Sequence, residues 1–279
     1  MRRVRRTAVA FAAAAAGAAA GPELVGHAAT PLFAGCTHVF LDLGANAGVQ
    51  TRNFHEPKLY AGSSFVPLFR QAGFYEPGAV RCAVGVEPSR MYWPRLRELA
   101  ARYTARNMRT TFVLGGVGVA NATACFEGGS ETGRFSGAAD AAGQCKPNKV
   151  ATPVWDVANL LRRHVPGLLR AVVAKVDVEG MEYKLFRRIL EAGVDCAVTE
   201  YAVERHGPNH PANRARRKAW ERLHRPNNES SCALSHRFDD ESYRLDPWPL
   251  PSNGAADDSD WANKSMQEHG RFWLGKGRR

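Results

Sequence analysis

The chain predicts a single α/β domain built on a mostly parallel, doubly wound sheet. Three observations carry that expectation. Apolar runs of strand length alternate with amphipathic stretches of helix length. Three of those runs end in a carboxylate. The 279 residues, 44% of them hydrophobic, suffice for one full core without a second. No internal repeat is visible.

In chain order, the pattern predicts strands near 38–43, 80–87, 110–115, 149–154, 171–177 and 195–201. Helices are expected near 89–104, 156–164, 180–192 and 212–224. The first strand, His38-Val-Phe-Leu-Asp42, opens at once into the loop Gly44-Ala-Asn-Ala-Gly48. Its glycines let the backbone turn tightly and approach a ligand. In an open α/β sheet, ligands bind outside the carboxyl ends of the strands, where this loop falls.

The glycine spacing bears on which ligand. A dinucleotide site has G-x-G-x-x-G with its pyrophosphate on the following helix. Here the pattern is D-x-G-x-x-x-G, and a carboxylate before the loop suits a ligand bearing an amine. That is the S-adenosylmethionine (SAM) pattern; the plain alternative is an ordinary strand-to-helix turn. Asp42, Gly44, Ala45, Asn46 and Gly48 are the candidate binding residues of this loop.

The second such strand, Val80 to Glu87, is followed by Pro88 and a helix. An acid at this place can accept hydrogen bonds from both ribose hydroxyls, as in dinucleotide folds, so Glu87 and Pro88 join the candidate cofactor residues. The third, Ala171 to Asp177, runs into Val178-Glu179-Gly180 and a helix. There Met181, Leu185 and Ile189 repeat at four-residue spacing, with Phe186 and Leu190 beside them.

The segments Leu41-Asp-Leu-Gly-Ala-Asn-Ala-Gly48, Val86-Glu-Pro88 and Lys175-Val-Asp-Val-Glu-Gly-Met-Glu182 resemble the FkbM-type SAM-dependent methyltransferases. That family carries a D-x-G-A-N-x-G loop, an F-E-P strand end and a K-I-D-V-E-G-x-E block. The resemblance runs from about Thr37 to Tyr201. It implies the Rossmann-like fold of a class I SAM methyltransferase, SAM as cofactor and methyl transfer. The chain departs from the pattern at Val86, which replaces an aromatic, and at Trp155, which replaces a leucine before Asp156. The stretch from Arg52 to Gly78 is also longer than the family's usual first crossover.

Methyl transfer to oxygen is an in-line displacement that needs a positioned acceptor and a proton acceptor. Asp177 and Glu179 are the candidate bases, one of them otherwise capping the helix that starts at Gly180. Glu200, read as the end of the fifth strand, is a third catalytic candidate. Asp42 is expected to shape the loop and reach the methionine end of SAM through water or backbone. Lys175 points to the opposite sheet face from Val176, and its plain reading is a salt bridge. Arg52 and His55 either approach the acceptor or sit solvated at the surface.

The amino terminus reads as a targeting segment. Arg2, Arg3, Arg5 and Arg6 form a basic start, and the alanine-rich stretch from Thr7 to Ala20 is short for a membrane span. A secretory signal over 1–28, cut near Ala20 or after Ala28, is the first reading. A short membrane anchor, an organelle transit peptide and a twin-arginine leader are the others. Residues 31–250 are assigned to the catalytic domain and 251–279 to a polar tail. Without those four arginines the formal charge falls from +11 to +7, still basic.

Six cysteines suit a secretory route but leave fifteen pairings open. Cys125 and Cys145, flanking a Gly/Ser/Ala-rich loop, are the preferred disulfide, whereas Cys196 reads as a buried thiol in a core strand. Asn121, Asn228 and Asn263 stand in glycosylation sequons. No C-x-x-C pair supports a structural zinc site. Gly207 and Pro208 prevent the helix that would aim His206 and His210 together at a metal, so no metal is expected. The run Arg214 to Arg222 reads as a solvated helix face, or one that attracts an acidic glycan or anionic membrane. No zinc finger or RNP-type strand points to nucleic acid. Asp246-Pro-Trp-Pro249 is similar to the D-P-P-Y element of amino-methylating enzymes. It stands far past the Asp177 strand and lacks the adjacent prolines, so it reads as a rigid turn.

The resulting expectation is a SAM-dependent O-methyltransferase acting on a carbohydrate or small-molecule hydroxyl in the secretory lumen. The competing readings are a secretory glycoprotein that has kept the fold but lost catalysis, and an NAD(P)-binding oxidoreductase.

Overall fold

The structure, a computed structural model, describes residues 21–27, 32–60, 62–127, 133–140, 142–164, 169–204 and 234–238. It is a mixed α/β arrangement with two sheets, each combining parallel and antiparallel strands.

The larger sheet contains β1 (Glu23–Gly26), β2 (His38–Leu43), β3 (Arg81–Glu87), β4 (Arg109–Leu114), β9 (Ala171–Val176), β10 (Glu200–Glu204) and β11 (Leu234–Phe238). Their spatial order is β1-β4-β3-β2-β9-β10-β11, and only β1 runs antiparallel to its neighbour. The chain therefore steps outward from β2 through β3 to β4, then returns to β9 on the other flank of β2. That reversal opens a crevice at the carboxyl ends of β2 and β9.

Strand alternation gives the sheet two apolar faces. On one, Phe40, Ala83 and Val173 meet Phe54 of α1 (Val49–His55) and Phe65 and Phe69 of α2 (Phe65–Gln71), with Phe74 beside them. Rings pack edge to face here, Phe40 to Phe69 at 4.9 Å and Phe54 to Phe74 at 5.2 Å. The long crossover after Arg52 is thus folded, because five phenylalanines need a common cover. Beside it, α3 (Trp93–Ala105) lays Leu96, Leu99 and Tyr103 on Phe112.

The opposite face carries Val39, Leu41, Val84, Val172 and Ala174. It is covered by Leu160 and Leu161 of α4 (Val157–His164) and by Leu185, Phe186 and Ile189 of α5 (Glu182–Glu191). Asp156 accepts the Ala158 amide at the start of α4 and is clamped by the Arg188 guanidinium of α5, 2.6 Å between Nη2 and Oδ2. Leu190, expected beside the apolar stripe, is exposed.

The smaller sheet has the order β5-β8-β6-β7, from β5 (Gly116–Gly118), β6 (Ala122–Glu127), β7 (Arg134–Ala138) and β8 (Val150–Asp156). The strand expected near 149–154 exists as β8 but belongs to this sheet. Burial along it largely alternates, and Pro153 lacks a ladder donor, neither of which suits a central parallel strand. The expected strand at 195–201 is displaced. Asp195–Ala197 is a 3₁₀ turn, and the strand itself begins at Glu200.

Two disulfides join described residues. Cys36–Cys82 ties the approach to β2 onto β3, and Cys125–Cys145 is the pair preferred from the sequence. Cys196 is not the buried thiol expected: it is exposed and disulfide-bonded, its partner outside the described residues. Strand β1 lies inside the 1–28 segment read as a leader, so a cut near Ala20 keeps this edge strand and a cut after Ala28 removes it. No described helix is long and apolar enough to cross a membrane. Residues 1–20, the run Arg214 to Arg222, His206, His210 and the 251–279 tail lie outside the described residues.

Candidate active site

A cleft opens at the crevice between β2 and β9. Gly44, Asn46, Glu87, Pro88, Asp177 and Glu179 all line it. Four other sequence candidates do not. Asp42 is wholly buried beneath the loop, and Ala45 packs inward with Leu96 and Phe112. Gly48 turns the chain into α1. Glu200 stands elsewhere altogether. It opens β10 opposite Val173, at the amino edge of the sheet, and borders a shallow depression with His38, Glu76 and Arg170. The later start of that strand is the reason, since Glu200 begins it rather than ending it; the acid that β10 delivers to the carboxyl edge is Glu204.

The loop fits its place by backbone geometry. Gly44 has φ 89°, and a β-carbon there would collide with the Asp177 carbonyl, so strand end and loop approach too closely for any side chain. Asn46, also left-handed at φ 49°, donates its amide to Glu87 Oε2 at 2.7 Å. The Ser89 amide meets Glu87 Oε1 at the same distance. Burial nonetheless pushes the Glu87 carboxyl up to about 7, against the pull of these two amides and of Lys175. Each oxygen keeps a lone pair for a ligand hydroxyl.

Under the loop, Lys175 is the organising cation. Register sets it opposite Asp42, with Nζ 3.4 Å from Asp42 Oδ1 and 3.0 Å from Asp177 Oδ2, and it donates to the Gly44 carbonyl. The ammonium's three donors thus reach three separate parts of the site. Burial disfavours its charge, but Asp177 and Asp42 outweigh that and raise its affinity for the proton. Burial likewise lifts Asp42 to about 6, with Lys175 opposing.

The turn after β9 is held by a residue to which the sequence reading gave no role. Glu182, almost fully buried, accepts the Val178 and Gly180 amides on Oε1 at 3.2 and 3.0 Å. The capping considered for Glu179 is not formed: α5 has no side-chain cap at its start, and Glu182 instead braces the turn ahead of it. Glu179 itself adopts φ 51°, uncommon for a side chain of this type, and borders the cleft. Met181, expected on the core stripe of the helix, also borders the cleft.

The far wall comes from the smaller sheet, through Val117, Phe126, Arg134 and Phe135. Sequence reasoning missed it. The signal was the short run Ala122–Glu127 closed by Gly128-Gly129, the pattern of a strand entering a turn. Arg52 and His55 are neither solvated nor in the cleft. Arg52 pairs with Glu56 at 3.0 Å, and His55 is buried against Thr110, which lowers it to about 3. Among the described residues no cluster of His, Cys, Asp or Glu could hold a metal ion.

Comparison with protein-family models, curated proteins and solved structures finds no match to this chain.

Proposed function

We propose that this chain is a SAM-dependent methyltransferase with a Rossmann-like, doubly wound domain, transferring methyl to a hydroxyl oxygen. The observation that carries the reading is the joining of Glu87, Asp177 and the Gly44–Asn46 backbone in one cleft where the winding of the sheet reverses. The FkbM-type motifs lie on those same segments.

The residues present fit the cofactor's chemistry. Glu87 offers a paired acceptor for a ribose diol, and the close approach at Gly44 brings bare backbone to the ligand. When bound, SAM supplies an electrophilic methyl group. Asp177, held by Lys175, and Glu179, on its left-handed turn, border the space where an acceptor hydroxyl would enter. Either can take the hydroxyl proton, while the other orients the acceptor.

The acceptor class we favour is a carbohydrate or small-molecule hydroxyl, met in the secretory lumen. The described disulfides are compatible with an oxidising compartment. The oxidoreductase reading lacks its second glycine, and no nucleic-acid element is assigned. The test is incubation with methyl-labelled SAM and pools of glycans, lipids and small alcohols. Label in a glycan or small alcohol supports the reading; label solely in protein or nucleic acid contradicts it.

A further inference from the structure

The wall supplied by the smaller sheet has no role in the scheme above. Phe135, on the edge strand β7, is half-buried and borders the cleft. Phe126, almost fully buried and also bordering the cleft, packs against it at 5.3 Å between ring centroids, edge to face at 69°. A β-carbon at Gly116 would collide with the Phe135 ring, so the bare backbone of β5 sets how far that ring can retreat. Four of the five β7 residues are exposed, and the strand has little core to hold it. Its position rests on pairing with β6, on Ser136 Oγ donating to the Cys125 carbonyl at 3.2 Å, and on the Cys125–Cys145 disulfide that closes the segment.

The same cleft contains Glu87, Pro88 and Ser89 with Val86 and Val117. An aromatic ring with a partly free surface, steadied edge to face by a second ring and sharing a cleft with a paired hydroxyl acceptor, suits the flat base of a nucleoside whose sugar lies on that acceptor. We infer that Phe135 is the seat of the cofactor's purine base, with Phe126 as its buttress, so that the smaller sheet completes the cofactor site. This rests on the SAM reading for the identity of the nucleoside.

The test uses the oxidised full chain with two probes, adenosine and S-adenosylhomocysteine, titrated calorimetrically. Phe135→Ala is expected to weaken both by about tenfold or more, as loss of one base-stacking ring does. Phe135→Tyr, which keeps the flat ring, is expected to bind close to wild type. A second measurement avoids any folding defect of the variants. In wild-type protein with labelled phenylalanine, adenosine H2 or H8 should show a nuclear Overhauser contact to the ring protons that disappear in Phe135→Tyr. If wild type binds both probes but Phe135→Ala binds them equally well and no such contact appears, the inference is overturned and the SAM reading survives. If wild type binds neither probe, both fall together.

Discussion

Lys175 and Asp42 face each other across adjacent parallel strands, Nζ to Oδ1 at 3.4 Å, both buried under the loop that borders the cleft. Neither strand-interior charge would be tolerated alone, and their pairing joins the glycine loop to Asp177 through one ammonium.

Removing the cation should therefore be costly. Lys175→Met leaves Asp42 as an uncompensated buried acid and is expected to destabilise the fold by about 3–5 kcal/mol. Urea denaturation at pH 7.5 would measure this. Adding Asp42→Asn to Lys175→Met should recover part of the loss, since the fully buried acid then no longer lacks its cation.

The raised carboxyls predict the direction of the pH response. Burial lifts Asp42 from 3.8 to about 6 and Glu87 from 4.5 to about 7. In that window the folded chain holds protons that the unfolded chain has released. These two groups therefore make stability fall as pH rises from about 4 to about 7, with no further change above. Urea midpoints across that range should show a shallower fall in Glu87→Gln than in wild type. Affinity for adenosine should move the opposite way in wild type, rising from pH 5 to 8 as Glu87 ionises and becomes the better acceptor.

Gly44→Ala forces a β-carbon onto the Asp177 carbonyl at a left-handed backbone position. A loss of more than about 2 kcal/mol is expected, because strain and steric overlap add. Thermal unfolding measures the stability, and the same sample should no longer bind S-adenosylhomocysteine.

Glu182→Ala orphans the Val178 and Gly180 amides and is expected to cost about 1–3 kcal/mol. Glu182→Gln keeps an acceptor oxygen and should lie much nearer wild type. Hydrogen exchange at those two amides should accelerate in the alanine variant alone.

The Cys36–Cys82 bridge closes 46 residues between the approach to β2 and β3. Its replacement by alanines should cost about 4 kcal/mol on chain-entropy grounds, read as a lower urea midpoint under oxidising conditions.

What was legible in the sequence follows from which signals are local. The strands ending at Asp42, Glu87 and Asp177 announce themselves by apolar runs closed with an acid, and all three fall where expected. Glu200 falls elsewhere because the stretch 195–201 reads as one extended run, while the Asp195–Ala197 turn delays the strand until Glu200. That shift sends the acid to the opposite edge. The stretch 149–154, Pro153 included, reads as part of the main sheet because strand partnership is a tertiary choice, unmarked in any one segment. Lys175 was legible as a salt bridge, but that it reaches Gly44 and Asp177 together depends on strand register. Glu182 stood in view within the Lys175–Glu182 block, its role invisible until the turn at Glu179 and Gly180 was formed.

The central claim is that Glu87 and the Gly44 loop hold the nucleoside of SAM. Its most direct measurement is calorimetric titration of the oxidised chain, wild type and Glu87→Ala, with S-adenosylhomocysteine, NAD and NADP in parallel. Wild type should bind S-adenosylhomocysteine in the micromolar range, Glu87→Ala should lose that binding, and neither dinucleotide should bind. Folded wild-type protein that binds no S-adenosylhomocysteine, or binds NAD or NADP in its place, would contradict it.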